Sequence, residues 1–221
     1  MDSSIDKQNR SIARIAIDGY VVIDDLLQAD EIDRVDESLH GIDVAAEGDR
    51  RFLDREWCRL LAHVIRHRLL KLRLLYLASR PVLCTYFRNE AESKRAPRLH
   101  RELHVPLAAR CDSAQFSNWT DRQGIAHARA TRELLATMLV VRVQMDEPAN
   151  GEGGLCVVPG SLTGADVDAE RVMCNAPRGG AIVFSPLLLH ASPPSVSAQP
   201  RRVLQFLFGP SDPPDGARWY Y

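Results

Sequence analysis

The sequence predicts a mostly β fold with flanking α-helices, a sandwich or jelly roll. Three observations predict it. Short β-type runs dominate after residue 82, at 82–87, 99–107, 138–145, 155–158, 181–184 and 203–208. Gly, Pro, Asn and Ser punctuate them, at Pro148 to Gly154, Pro159-Gly160-Ser161, Arg178-Gly179-Gly180 and Ser192 to Pro200. Several short strands with such turns are the signature of an antiparallel sandwich or jelly roll. The first third instead carries the 3.6-residue periodicity of amphipathic helices.

In chain order, residues 1–11 read as a frayed polar tail. Ile15 to Ile23 contains Gly-Tyr-Val-Val-Ile and predicts a strand. Asp30 reads as the N-cap of a helix with Ile32, Val35, Leu39 and Ile42 on one face. Residues 55–70 repeat that spacing through Trp57, Leu60, Leu61, Val64 and Ile65 and predict a second helix. Residues 72–78 extend it or form a short helix, which Ser79-Arg80-Pro81 breaks. Residues 108–137 read as a long insertion with a helix from Thr131 to Thr137, of the kind that serves as a lid. No domain boundary stands out. The expectation is one domain over 1–221, with the helical N-terminal third packed on the outside of the sheet.

Composition narrows the function. The chain has 221 residues, 45% hydrophobic and 26% charged, which excludes disorder as the main state. Its 28 basic and 29 acidic residues give a net charge of −1, against a nucleic-acid or membrane-surface partner. No apolar run approaches the roughly 18 residues of a membrane span. The N-terminus, MDSSIDKQNRS, has no apolar core of a secretory signal. Five dispersed cysteines without CxxC spacing read as free thiols, and the expected location is cytoplasmic. Nothing in the sequence speaks to oligomeric state.

The segment richest in chemistry is Leu99-His100-Arg101-Glu102. Residues i and i+2 of a strand share a face, so His100 and Glu102 present an imidazole and a carboxylate side by side. His190, closing the run GAIVFSPLLLH, supplies a third ligand. Two His and one carboxylate leave three positions of a metal open, the facial triad of non-haem Fe(II) oxygenases. Each signal alone is also what an ordinary half-buried strand shows. Ser192 shares the face of His190. Arg201 follows after a Ser/Pro-rich turn, and a guanidinium suits a carboxylate because it binds bidentately and stays charged. Alternation puts Arg201, Val203, Gln205 and Leu207 on one face, and Arg202, Leu204, Phe206 and Phe208 on the other. His104 lies two residues beyond Glu102 on the same face, a candidate ligand, donor to a ligand or substrate contact, and reads as lining the pocket. Arg142 and Gln144 share one strand face. Trp119, in the insertion, is a candidate substrate contact. His63 and His67 have the i,i+4 spacing of a zinc helix but lack a third ligand, so they read as a solvated face. No P-loop, GxGxxG fingerprint or nucleophile elbow is present.

The order GYVVIDDLL, HxE, VQMDEPANGEGGLCVVPGS and GGAIVFSPLLLHASPPSVSAQPRRVLQF resembles the phytanoyl-CoA dioxygenase family, from about residue 15 onward. Its most specific parts are Asn150-Gly151, the turn at 158–161 and the His190 to Arg201 spacing. The resemblance implies a double-stranded β-helix, a cupin-like jelly roll, that uses Fe(II), 2-oxoglutarate and O2. It implies that His100, Glu102 and His190 hold iron. It implies that Arg201, with Ser192, grips the distal carboxylate of 2-oxoglutarate, with Arg142 and Gln144 in the pocket interior. The sequence departs from the family pattern at Glu102 (usually Asp), Leu99 (usually Trp), Leu162 (often His) and Asn89 (often Lys). The expected function is an oxidoreductase, a dioxygenase that hydroxylates a small molecule, in keeping with biosynthesis of bacterial secondary metabolites. The alternatives are a non-catalytic small-molecule-binding jelly roll, which the departures motivate, and a cupin-type metalloenzyme that does not use 2-oxoglutarate.

Overall fold

The computed structural model describes residues 14–44, 48–89, 98–148, 154–164, 169–193 and 201–221. The expected tail, the Asn150-Gly151 pair and most of the turn before Arg201 lie outside these residues.

Residues 14–17 form a helical turn, and only Tyr20–Ile23 is strand (β1), so the strand expected from Ile15 starts later. Gly19 makes the switch at φ +88°, with Leu162 and Leu188 packed where a Cβ would stand. Helix α1 spans Ala29–Leu39 and buries Ile32, Val35 and Leu39. Its N-cap is Gln28 rather than Asp30: Glu31 reaches back to accept the Gln28 N–H at 2.7 Å. Asp30 sits in the first turn and pairs with Arg34 one turn on. Helix α2 spans Glu56–Lys71 and buries Cys58, Leu61, Ala62, Ile65 and Leu69, while Leu60 is exposed. Arg68 locks α2 to α1 through both oxygens of Glu31, at 2.6 and 2.9 Å.

The segment 72–78 is not helical, and Ser79 opens a strand instead of breaking a helix: β2 runs Ser79–Asn89. Proline is tolerated there because Pro81 lies beside a bulge on an outer strand. The main sheet has the antiparallel order β1-β9-β6-β11-β2, with β6 at Leu139–Gln144, β9 at Ala181–Phe184 and β11 at Arg201–Pro210. Two three-stranded sheets complete the shell. One orders β10 (His190–Ala191), β7 (Leu155–Val157) and β8 (Val172–Cys174); the other orders β3 (His104–Leu107), β5 (Ile125–Ala130) and β4 (Phe116–Arg122).

The segment 108–137 is therefore largely a hairpin built into a sheet. Its expected helix is present as α3, Arg132–Ala136, with Thr131 capping Leu134 N. The stretch expected as one strand over 99–107 is strand only from His104, preceded by a lone bridge at His100.

The main sheet separates two cores. Val141, Val143, Leu204, Phe206 and Phe208 face outward onto α1 and α2. Val140, Ile182, Phe184 and Leu207 face inward onto Val105, Leu107, Leu155 and Val157 of the small sheets. Each such buried side chain stabilises the fold by about 1.5–3 kcal/mol relative to its exposed state. The fold is a mostly β jelly roll with helices on one face.

Candidate active site

The site begins with one backbone pairing. His100 and His190 face each other as an antiparallel bridge and exchange both backbone hydrogen bonds, at 2.9 and 3.0 Å. Directly opposed residues of such a pair share a face, so both imidazoles project to the same side. Their ring centroids are 4.4 Å apart. Glu102, two residues on, returns to that side and is held by its N–H to the Pro186 carbonyl at 3.0 Å. Glu102 Oε1 lies 3.9 Å from His100 Nε2 and 3.7 Å from His190 Nε2. One ligand atom from each of the three falls within 4.8 Å of the others, a spacing that can hold a metal ion.

The surroundings prepare these groups. His100 Nδ1 lies 3.1 Å from the Arg98 carbonyl and His190 Nδ1 lies 3.0 Å from the Leu188 carbonyl. With Nδ1–H donating to a carbonyl, each Nε2 keeps a lone pair aimed at the site. His190 is 3% exposed and packs against the Phe184 ring at 4.7 Å. Burial opposes ionisation of Glu102. The two neighbouring imidazoles, wherever they carry a proton, and a hydrogen bond from Gln205 nevertheless bring its carboxyl down to about 2. Two anchors fix the backbone behind the triad. Arg101 donates to the carbonyls of Leu187, Ser161 and Gly164 at 2.7–2.8 Å. Ser161 Oγ, in the Val-Pro-Gly-Ser turn, accepts the Leu189 N–H at 2.9 Å, one residue before His190.

A second group of polar side chains faces the same interior. Arg142, Gln144 and Arg201 are all buried. Of the six buried side-chain nitrogens without a hydrogen-bond partner among the described residues, five belong to these three residues. Burial presses the Arg142 guanidinium down to about 9, and the neighbouring charge of Arg201 adds to this while Glu102 opposes it. Two adjacent buried cations with unsatisfied N–H groups are costly unless an anion completes them. A dicarboxylate fits that demand. Gln205 joins the two groups: it accepts from Arg142 Nη1 at 3.4 Å and donates to Glu102 Oε1 at 3.2 Å. Sequence reading placed Gln205 on the face of Arg201 but gave it no role. Ser192 follows β10 and is half-buried; beside it the Pro193 carbonyl accepts from Arg201 Nη2 at 3.5 Å. Asn89 ends β2 opposite Arg201 in the register.

A cavity of about 290 Å³ opens in front of the triad, lined by His100, Glu102, His104 and Gln205 and also by His127, which the sequence did not single out. His104 thus lines the cavity beside His100 and Glu102. Trp119 does not line this cavity: it packs against the inner core beside Phe116, at 6.2 Å between rings. His63 and His67 are exposed on α2, as expected of a solvated face. Among the described residues, no helix is long and apolar enough to cross a membrane.

Known proteins place the chain in context. The phytanoyl-CoA dioxygenase (PhyH) family model matches residues 16–203. No curated protein sequence matches significantly. Among solved structures, the non-heme alpha ketoglutarate dependent epimerase SnoN from nogalamycin biosynthesis superposes with a TM-score of 0.67. It is 17% identical over 93% of this chain and 84% of its own. The carbocyclase SnoK from the same biosynthesis gives 0.64 at 14% identity, covering 92% and 84%. HygX from Streptomyces hygroscopicus, with nickel and 2-oxoglutarate bound, gives 0.62 at 14% identity, covering 91% and 86%.

Proposed function

The chain belongs to the phytanoyl-CoA dioxygenase family of non-haem iron, 2-oxoglutarate-dependent enzymes, and on that premise we propose that it oxidises a small molecule by hydroxylating a C–H bond. The observation that carries this reading is the convergence of His100, Glu102 and His190 beside the unpartnered guanidinium groups of Arg142 and Arg201.

In this reading His100 and His190 would hold Fe(II) through neutral Nε2 atoms and Glu102 would hold it as an anion. Iron held there, with 2-oxoglutarate and O2 as co-substrates, would supply the oxidising power for C–H hydroxylation, one oxygen atom entering the product and the other the succinate, with CO2 released. That chemistry belongs to the cofactor; the chain supplies binding, orientation and a dry enclosure. Arg201 takes the distal carboxylate of 2-oxoglutarate, and Arg142 and Gln144 satisfy its remaining lone pairs. Gln205 holds Glu102 Oε1 and so fixes the rotation of the carboxylate. His104 and His127 line the substrate's side of the triad. SnoN and SnoK act in nogalamycin biosynthesis, and this supports a role in tailoring a bacterial secondary metabolite.

The test is anaerobic addition of Fe(II) and 2-oxoglutarate, followed by succinate release in air. A weak visible charge-transfer band and succinate formation are expected. Absence of both the band and metal uptake would overturn the reading in favour of a non-catalytic binding module. His190→Ala should abolish metal binding and turnover, since losing a ligand costs more than the ~10–100-fold of losing an outer partner. Arg201→Ala should lose turnover equally at low 2-oxoglutarate. Activity that survives in Arg201→Ala but not in His190→Ala would point to a metalloenzyme that does not use the keto acid.

A further inference from the structure

The cavity in front of the triad has two unlike ends. Leu83, Phe87, Val140 and Leu207 give it an apolar wall. Away from the triad, Arg50 and Arg122 line it. These two come from segments 72 residues apart, and a built contact joins them. Gln123 and Gly124, both at positive φ, form the tight turn of the β4–β5 hairpin. The Gln123 side chain accepts the Arg50 N–H at 2.9 Å and donates to the Gly48 carbonyl at 2.7 Å. Gly48 is at φ +79°, where a Cβ would stand 2.7 Å from the Tyr86 carbonyl oxygen, so this segment lies pressed against β2. The hairpin tip is thereby docked and Arg122 is held at the cavity.

Arg122 brings a cation to this end. The Arg122 side chain makes no hydrogen bond or ion pair among the described residues. The one carboxylate among the described lining residues is Glu102, which belongs to the triad. His104 and His127 do not offset that cation, since an imidazole carries no negative charge near pH 7. A half-buried cation facing an apolar wall is complementary to a molecule with an anionic head and an apolar body. A volume of about 290 Å³ admits only a compact one.

We infer that this end of the cavity binds the anionic head of the substrate, a carboxylate or a phosphate monoester on a compact apolar body, and that Arg122 selects it. The inference rests on the oxygenase reading of the triad and names the substrate class for it. Arg142 and Arg201 form the separate anion site, which 2-oxoglutarate fills during the test.

The experiment is calorimetric titration of the full chain, loaded anaerobically with Fe(II) and saturating 2-oxoglutarate, with octanoate, octyl phosphate and octanamide. Octanoate or octyl phosphate is expected to bind about tenfold or more tightly than octanamide, the scale of a hydrogen bond to a charged group. The tighter of the two identifies the head group. Arg122→Gln should lose that preference, Arg122→Lys should retain most of it, and Arg122→Glu should reverse it. A thermal melt of each variant checks folding, and the charge-transfer band checks co-substrate loading. Absence of the band in the unmutated protein overturns the proposed function. A band with equal binding of acid and amide, or a preference that survives in Arg122→Gln, overturns this inference alone.

Discussion

On the outer face of β11, Arg202 donates to both oxygens of Asp146, at 2.5–3.3 Å, and pairs with Asp36 of α1. On the inner face one residue earlier, Arg201 is more deeply buried and leaves Nε and Nη1 without a partner, as Arg142 leaves Nε and Nη2. Hydrogen bonds from Arg202 to Asp146 raise its pKa, while burial lowers that of Arg201. Neither side chain is solvent-exposed. The outer cation is already paired and fastens a helix and the end of β6 to the sheet. The inner cations are held at a cost that an anion would remove. The same residue type is therefore fully paired on one side of the sheet and left with unpartnered N–H groups on the other.

Substitutions that remove each charge sharpen this contrast. The largest effect is expected inside. Arg142→Met should raise the KM for 2-oxoglutarate roughly 30-fold, about 2 kcal/mol of lost charge pairing. It should also raise the melting temperature of the ligand-free protein, because replacing an uncompensated buried charge by an apolar side chain stabilises. Arg202→Met should do the reverse: a loss of about 1–3 kcal/mol on denaturant unfolding, with the KM unchanged. If both variants lower the melting temperature, the two faces do not differ in the way described. Gln205→Leu cuts the link between the inner cations and the triad. It should weaken Fe(II) binding about 10-fold, measured by metal titration. The smallest effect belongs to α2: His63→Ala with His67→Ala should change stability by about 0.5 kcal/mol or less and leave bound metal unchanged.

Much of the site was readable in the sequence because it follows local rules. The i, i+2 spacing of His100, Glu102 and His104 puts all three at one cavity, and alternation along 201–208 separates the inner Arg201 and Gln205 from the outer Arg202. The hairpin at 116–130 was missed because β5 reads Ile-Ala-His-Ala-Arg-Ala, where small residues hide the apolar alternation. A signal existed in the Gln123-Gly124 pair, a two-residue turn with both φ angles positive. Pro81 suggested a break because a central strand would reject it; an outer strand with a bulge does not. Asp30 misled because it stands two residues inside the helix that Glu31 caps from the N3 position.

The sequence by itself determined the helical and strand periodicities and the face each strand residue occupies, since these depend on neighbours a few positions away. Only the tertiary structure decided that Gln205 bridges Arg142 and Glu102, that Trp119 anchors a core while His127 lines the cavity, and that Arg50 meets Arg122. Each of those depends on the pairing of distant segments. Sheet register and the docking of one hairpin tip set that pairing, and no local pattern encodes either.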